Sequence, residues 1–292
     1  MKLAPAIRRL LDRLRLPVGS RATAARQGGH RSPVLAAGLE PADHRCYVPG
    51  DDVRRIDWNA FARLRQLTVR QFEEERDARV YVMLDCSGSM TRGAPPKIEV
   101  GKTLAASFAY LAMKQFDTVR VLPFRSDLDA PSGALRTRDR LPDLERFLGD
   151  ADAAGLTSFP DAVRAFARRA PGRGLVVVVS DLMAPDGWED GFRILGGLGH
   201  QLTLVRVGCV EDDRPDVRGE VELVDAETGE RLRIRASKEL LRAYRDAVSA
   251  HLERCRKAAV RAGGRVIFAD AETPADRLVR QAIGLVAARG AA

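Results

Sequence analysis

Residues 80–89 read VYVMLDCSGS, an apolar run of five residues that ends at an aspartate and two alternate serines. Such a run is typical of a strand that is buried on both faces in a parallel sheet. A second run, LVVVV at residues 175–179, is followed by Asp181 and repeats the pattern. Two such strands predict the centre of an open α/β sheet, in which ligand sites lie where the strands end.

The chain around these two runs alternates between helical and extended patterns. Apolar residues three and four apart predict helices, and short apolar runs predict strands. The predicted helices lie at 97–115, 158–170, 187–196 and 238–262, with a last one after residue 269, and the further predicted strands lie at 119–124, 201–207 and 265–269. The sequence therefore predicts a doubly wound, mostly parallel α/β sheet, Rossmann-like, with five to six strands.

Two segments depart from this alternation. A β-hairpin is predicted at about 217–236, where two alternating segments flank a Glu-Thr-Gly turn. At the other end, residues 3–16 predict a short amphipathic helix, and the chain that follows is rich in Gly, Pro and Arg. We therefore predict an N-terminal helix and arm over 1–77 and an α/β domain with a hairpin insertion over 78–292.

The composition limits the class of protein. The chain has 292 residues, of which 30% are charged and 45% hydrophobic, as expected of one large soluble domain or two modest ones. The longest segment without Asp, Glu, Lys or Arg is 194–205, with 12 residues, whereas a membrane helix needs about 20. The four cysteines form no CxxC pair, which argues against a zinc cluster or a disulfide scaffold. We expect a cytoplasmic protein without a membrane span.

The net charge of +8 comes mainly from the N-terminal quarter. Residues 1–79 hold 16 basic and 10 acidic side chains. Because the acidic residues are interleaved with the basic ones, a solvated surface is favoured over a nucleic-acid site. Nucleic-acid binding through this segment is the minor alternative, and it predicts an affinity that falls steeply with salt.

The candidate functional residues begin with Asp85, Ser87 and Ser89, where the first buried strand ends. One carboxylate and two hydroxyls at alternate positions, with Gly88 between the serines for a tight turn, can direct three oxygens at one point. An all-oxygen set suits a hard cation such as Mg²⁺ or Mn²⁺. The alternative is a polar turn in which these side chains only satisfy backbone groups.

Two further oxygen donors lie on loops that a doubly wound sheet brings beside the first. Thr157 precedes a predicted helix, and its alternative role is that of a helix N-cap. Asp181 follows the second buried strand, where an aspartate is often a turn residue. Taken together, the three loops supply two carboxylates and three hydroxyls around one cation.

These residues resemble the metal-ion-dependent adhesion site of the von Willebrand factor type A domain, whose pattern is DxSxS, then a threonine, then an aspartate at a later strand end. Asp85, Ser87, Ser89, Thr157 and Asp181 match in that order. The resemblance implies that the two serines and Thr157 contact Mg²⁺ directly, that the two aspartates act largely through water, and that one position is left for a carboxylate of a partner. The family often has Gly-Gly-Thr-Asp at the threonine, whereas this chain has Gly-Leu-Thr-Ser.

A second resemblance covers nearly the whole chain. Residues 45–58, RCYVPGDDVRRIDW, are similar to the Tyr-x-Pro-Gly-Asp-Asp-x-Arg-x-Ile-Asp-Trp signature of the domain of unknown function 58 family. The EEER at 73–76 and the VDAETG at 224–229 also resemble that family. The resemblance implies cooperation with a MoxR-type AAA ATPase. Many members carry two N-terminal membrane helices, which this chain lacks.

The signature also has a physical interpretation. We expect Arg54, Asp57 and Arg63 to form an ion-pair network around Trp58. Such a network favours a structural clamp that joins the arm to the sheet. A docking surface for a partner, with the tryptophan as its anchor, is the alternative.

The predicted function is binding rather than catalysis. We expect an adaptor or chaperone component that captures an acidic side chain of an unidentified client through its metal site. No GxSxG elbow accompanies the serines, and no GxxxxGK[ST] phosphate loop is present, so ATP chemistry would belong to a partner. The alternative is a hydrolase in which the same ion activates water, which requires a general base within hydrogen-bond reach.

Overall fold

The computed structural model describes residues 1–16, 41–48, 56–72, 78–115, 117–169 and 172–287. The chain divides into two compact units, Met1–Val18 with Ala78–Ala292 and, separately, Gly19–Asp77. The longer segment of the larger unit begins at Ala78, the residue at which the sequence analysis starts the α/β domain. The first helix, which the sequence analysis grouped with the arm, belongs to the larger unit.

The helices and strands follow the alternation expected from the sequence. The helices are α1 (Pro5–Asp12), α2 (Trp58–Leu64), α3 (Lys97–Lys114), α4 (Leu141–Gly149), α5 (Phe159–Arg169), α6 (Trp188–Gly197), α7 (Val210–Asp213), α8 (Lys238–Arg261) and α9 (Ala275–Ala287). The strands are β1 (Pro41–Cys46), β2 (Thr68–Phe72), β3 (Arg79–Asp85), β4 (Thr118–Phe124), β5 (Leu175–Ser180), β6 (Gln201–Gly208), β7 (Gly219–Val224), β8 (Arg231–Ala236) and β9 (Arg265–Asp270). None of the described helices is long and apolar enough to cross a membrane.

Five parallel strands form the central sheet of the larger unit, in the order β4-β3-β5-β6-β9. All five were predicted, and the doubly wound parallel α/β sheet is confirmed. The chain leaves β3 toward β4 and returns on the other side of β3 with β5, so the topological switch point lies between β3 and β5. This is the class of fold that the resemblance to the von Willebrand factor type A domain implies.

The alternation of side chains along the strands divides the core into two layers. In β3, Val80, Val82 and Leu84 face the helices α1, α3, α4 and α9, whereas Tyr81 and Met83 face α5, α6 and α8. Both layers are apolar, which is why the strand sequences read as continuous apolar runs.

Helix α1 packs with one face in the first layer. Its residues Ile7 and Leu11, together with Leu3 just before it, are buried in that layer. The carboxylate of Glu145 in α4 accepts hydrogen bonds from the Leu3 amide at 2.8 Å and from the Arg8 guanidinium at 2.6 Å. The amphipathic pattern predicted the helix, and these contacts show what its apolar face covers.

The inserted hairpin is also confirmed. Strands β7 and β8 pair antiparallel, with Val224 opposite Arg231 at the turn end. Helix α4 was not predicted, although Leu141, Leu144 and Leu148 show the three and four spacing of a helix and are buried. This omission is an error of the sequence analysis rather than an effect of tertiary context.

The smaller unit pairs β1 with β2 antiparallel and contains α2. Asp57 caps this helix, because its carboxylate accepts from the amides of Asn59 and Ala60 at 3.0 Å. Arg54 of the predicted ion-pair network lies outside the described residues. Trp58 is 60% exposed, as the alternative of a docking surface requires, and the ion-pair network stays a prediction.

Candidate metal centre

Three loops meet at the carboxyl edge of the central sheet. Asp85 ends β3 and Ser180 ends β5, and these two strands are neighbours. The third loop, residues 154–158, lies against the first, since the Gly88 amide donates to the Gly155 carbonyl at 2.9 Å. The five residues predicted for the site all lie on these loops: Asp85, Ser87, Ser89, Thr157 and Asp181.

Asp85 is buried and held on both sides. One carboxylate oxygen, Oδ1, accepts from the Ser87 amide at 2.9 Å, and the other, Oδ2, accepts from the Ser180 hydroxyl at 2.6 Å. The side chain of Ser180 thus joins the end of β5 to the end of β3. Sequence reasoning missed Ser180, although it directly precedes the predicted Asp181.

The electrostatic environment of Asp85 disfavours its charge. Burial and then the nearby Asp181 carboxylate raise the pKa of Asp85 to about 7, against the lowering effect of the hydrogen bonds from Ser180 and Ser87. Two buried carboxylates on adjacent strands therefore repel each other. A positive charge placed between them would relieve this repulsion.

Ser87 and Ser89 face each other. Their hydroxyl oxygens are 3.1 Å apart, with Ser87 fully buried and Ser89 partly exposed. A polar turn accounts for the bond from the Ser87 amide to Asp85, but the two hydroxyls bond to each other rather than to the backbone. The pair thus presents two neutral oxygens at one point, as a cation site requires.

Asp181 directly follows β5 and is paired with a lysine of helix α3. Its Oδ2 accepts from the Lys97 ammonium at 2.6 Å, with both side chains 1% exposed. Its Oδ1 accepts from the Met183 amide at 3.0 Å. Lys97 also donates to the carboxylate of Asp212.

Lys97 is the first residue of α3, and sequence reasoning did not select it. Burial lowers the pKa of its ammonium, but Asp181 and Asp212 outweigh burial and raise that pKa above the usual value, so Lys97 is charged at neutral pH. No local pattern marks this lysine as buried, because its partners lie far along the sequence. The signal arises only from the packing of α3 over the ends of the strands.

Thr157 does not cap the helix that follows. Helix α5 begins at Phe159, and Ser158 directly precedes it. The Thr157 hydroxyl donates to Oε1 of Glu227 at 3.0 Å, and its amide donates to Oε2 at 3.0 Å. Glu227 lies in the turn between β7 and β8, so the inserted hairpin reaches the candidate site. Sequence reasoning recorded this turn as a family pattern but assigned it no role.

The donor set fits a hard cation. Within the described ranges no group of three His, Cys, Asp or Glu side chains could hold a metal, so any ion here would depend on the hydroxyls of Ser87, Ser89 and Thr157. Around them, the carboxylates of Asp181 and Asp212 share the ammonium of Lys97, and Asp85 lies close enough to Asp181 for the two carboxylates to repel each other. All the donors are oxygens, which suits Mg²⁺ or Mn²⁺ rather than a thiophilic metal.

Comparison with sequence families gives a long match. The family model described as "Protein of unknown function DUF58" matches residues 43–254. Among curated proteins, the uncharacterized protein Rv1480 of Mycobacterium tuberculosis is 29% identical over 240 residues, which cover 78% of this chain and 72% of that protein. The uncharacterized protein Mb1516 of Mycobacterium bovis matches to the same extent.

Similarity to solved structures is more distant. An aerotolerance-related membrane protein from Bacteroides fragilis is 20% identical, with a TM-score of 0.46 over 71% of this chain and 99% of that one. BatB from Bacteroides thetaiotaomicron is 17% identical, with a TM-score of 0.42 over 72% and 98%. The SpRpn10 VWA domain is 13% identical, with a TM-score of 0.39 over 70% and 95%.

Proposed function

Since the chain belongs to the DUF58 family of proteins of unknown function, we propose a function from its site, that of a metal-dependent protein-binding adaptor. Ser87, Ser89 and Thr157 would hold Mg²⁺ or Mn²⁺, with Asp85 and Asp181 acting through water. The observation that carries the proposal is the meeting of three loops, with five oxygen-bearing side chains, at the switch point of the sheet.

The contacts of the two aspartates support a site whose direct ligands are neutral. Both oxygens of Asp85 already accept hydrogen bonds, and Asp181 is neutralised by Lys97. A divalent ion that is bound mainly by hydroxyls and water keeps charge available for an incoming carboxylate. An aspartate or glutamate of a partner protein is therefore the chemistry that the site would recognise.

The proposed partners are a client protein and a MoxR-type AAA ATPase. The sequence contains no phosphate-binding loop, so the energy of ATP hydrolysis would come from the ATPase. In this scheme the chain is an adaptor or chaperone component that works in the cytoplasm and presents the client to the ATPase.

The contacts around the site favour binding over hydrolysis. A hydrolase would need a general base within hydrogen-bond reach of an activated water. In the described part of the chain, His200 accepts from the Gly174 amide and His251 bonds to the Leu182 carbonyl, so neither imidazole contacts the site hydroxyls. The carboxylates at the site are already engaged: Asp85 by Ser87 and Ser180, Asp181 by Lys97, and Glu227 by Thr157. We therefore propose no reaction for the site.

The metal site is tested by calorimetric titration of the purified protein with Mg²⁺ and with Mn²⁺. Ser87→Ala should weaken binding about tenfold or more, because it removes one proposed ligand. Ser107→Ala is the matched control, since that hydroxyl is equally buried but bonds to the Thr103 carbonyl within α3. Absence of binding to the unaltered protein, or equal affinities for the two variants, would reject the site.

The adaptor role is tested by co-purification with the MoxR-type ATPase of the same organism. The comparison uses the unaltered chain and Asp85→Ala, both in Mg²⁺, because chelation would also disable an ATPase. Recovery of the ATPase and its client with the unaltered chain, and a loss with the variant, is the expected result. Identical recovery would refute metal-dependent capture.

A further inference from the structure

The turn between β7 and β8 is built by its own hydrogen bonds. Oδ1 of Asp225 accepts from the amides of Glu227 and Thr228, each at 2.8 Å. The Asp225 amide donates to the Glu230 carbonyl at 2.8 Å, and Gly229 adopts a positive φ of 74° that closes the turn. The backbone at Glu227 is therefore held by the turn.

This turn rests on two of the three loops of the candidate site. Both carboxylate oxygens of Glu227 accept from Thr157, one from the amide and one from the hydroxyl. The turn backbone also lies against Gly88, where an added Cβ would come within 2.3 Å of the Ala226 carbonyl oxygen. The residue between the two serines must therefore be small for the turn to approach.

Most of the hairpin is exposed to solvent. From residue 222 to residue 230, Glu227 is the one residue that is not exposed. The apolar side chains of Leu223 and Leu232 on the hairpin strands are 45% and 62% exposed. The tip is thus the part of the hairpin that contacts the site, and few bonds must break for it to leave.

We propose that Glu227 is an internal carboxylate that covers the candidate metal site and that an external carboxylate must displace it. This inference rests on the proposed function, because it concerns how the same site is regulated. A glutamate side chain already lies against Thr157, one of the predicted metal ligands, and it has the chemistry that the site would recognise in a partner. The hairpin then acts as a cap that the partner removes.

The first arm of the test measures the cap without any metal. Hydrogen exchange by NMR follows the Thr157 amide, which donates to Glu227. Glu227→Ala should speed this exchange about tenfold or more, because local opening no longer has to break that bond. Glu230→Ala is the matched control, since Glu230 is an exposed glutamate of the same turn. Equal exchange in both variants would refute the cap.

The second arm measures competition at the loaded site. The probe is a dansyl-labelled tripeptide, glycine-glutamate-glycine, amidated so that the glutamate supplies its one carboxylate, and binding is followed by fluorescence anisotropy in Mg²⁺. Glu227→Gln should bind it about tenfold more tightly than the unaltered protein, because the open form no longer has to be populated first. Glu230→Gln should behave like the unaltered protein, and a glutamine version of the peptide should not bind.

The outcomes separate the two proposals. Tighter binding by Glu227→Gln alone supports the cap. Equal, Mg²⁺-dependent binding by all three proteins refutes the cap and leaves the metal-dependent adaptor standing. Absence of Mg²⁺ binding in calorimetry, including for Glu227→Gln, overturns both proposals. Melting curves of each variant confirm that the exposed turn tolerates the substitution.

Discussion

Replacement of Lys97 by methionine is expected to lower the free energy of unfolding by about 3–5 kcal/mol, the usual cost of removing one partner from a buried ion pair. Methionine keeps most of the length of the side chain, so the loss is mainly that of the charge. The ammonium lies 2.6 Å from Oδ2 of Asp181, with both side chains 1% exposed, and it also contacts Asp212. Without it, the buried Asp181 carboxylate loses its direct ion pair and stands beside Asp85, while the nearby guanidinium of Arg206 is paired with Asp213.

Urea denaturation at neutral pH, followed by circular dichroism in the presence of EDTA, measures this cost. For a unit of this size the melting temperature should fall by about 6–20 °C. The double variant Lys97→Met with Asp181→Asn should recover a large part of the stability, because it removes the unpaired charge as well. Lys257→Met is the matched control, since Lys257 pairs with Glu253 on an exposed face of α8.

Two results would refute this reasoning. One is a loss of less than about 1 kcal/mol for Lys97→Met, which would place the pair in the range of surface ion pairs. The other is a double variant whose loss of unfolding free energy equals the sum of the losses of the two single variants, which would mean that Lys97 and Asp181 do not interact.

Three further predictions follow from the same structure. Asp85→Asn should stabilise the protein in EDTA, because it removes one of two repelling carboxylates. Mg²⁺ at one hundred times its dissociation constant should add about 2.7 kcal/mol to the free energy of unfolding of the unaltered chain, and so raise its melting temperature, but not that of the variant; an equal response of both would contradict the site. The native protein should react with a disulfide reagent at the exposed Cys46 only, and all four thiols should react in denaturant. Burial raises the pKa of the other three thiols, to about 12 for Cys86 and Cys255 and to about 11 for Cys209. Rapid reaction of two or more thiols in the native state would show that the core opens. Burial lowers the pKa of His200 below its unfolded value, so the contribution of His200 to stability is complete above about pH 6.5 and is lost on acidification through the folded pKa, at about 1.36 kcal/mol for each pKa unit of difference. Between about pH 8 and pH 5, the denaturation midpoint should therefore fall less steeply in His200→Gln than in the unaltered protein. Parallel curves would disprove this assignment.

The main elements of the fold were predictable because their cause is local. Strands β3 and β5 are buried on both faces, so their sequences must be apolar throughout, and that composition is visible without any tertiary information. The hairpin was predictable from the alternation of its strands around a Glu-Thr-Gly turn. Helix α4 carried its own signal in three buried leucines and was overlooked.

Part of the candidate site was predictable for the same reason. Parallel strands bring their carboxyl ends to one edge, so Asp85 and Asp181 had to lie near each other once β3 and β5 were neighbours. The exposure of Trp58 was not predictable, because a tryptophan is equally able to pack in a core or to lie on a surface.

The sequence by itself thus determined the buried strands, the helices between them and the loops on which the predicted ligands lie. Only the tertiary structure decided which groups from distant segments face those ligands. Lys97 pairs with Asp181 across 84 residues, and Glu227 bonds to Thr157 across 70. The physical reason is that hydrophobic periodicity reports how each segment buries its own surface, whereas the pairing of a charge depends on which other segment the fold places within reach of it.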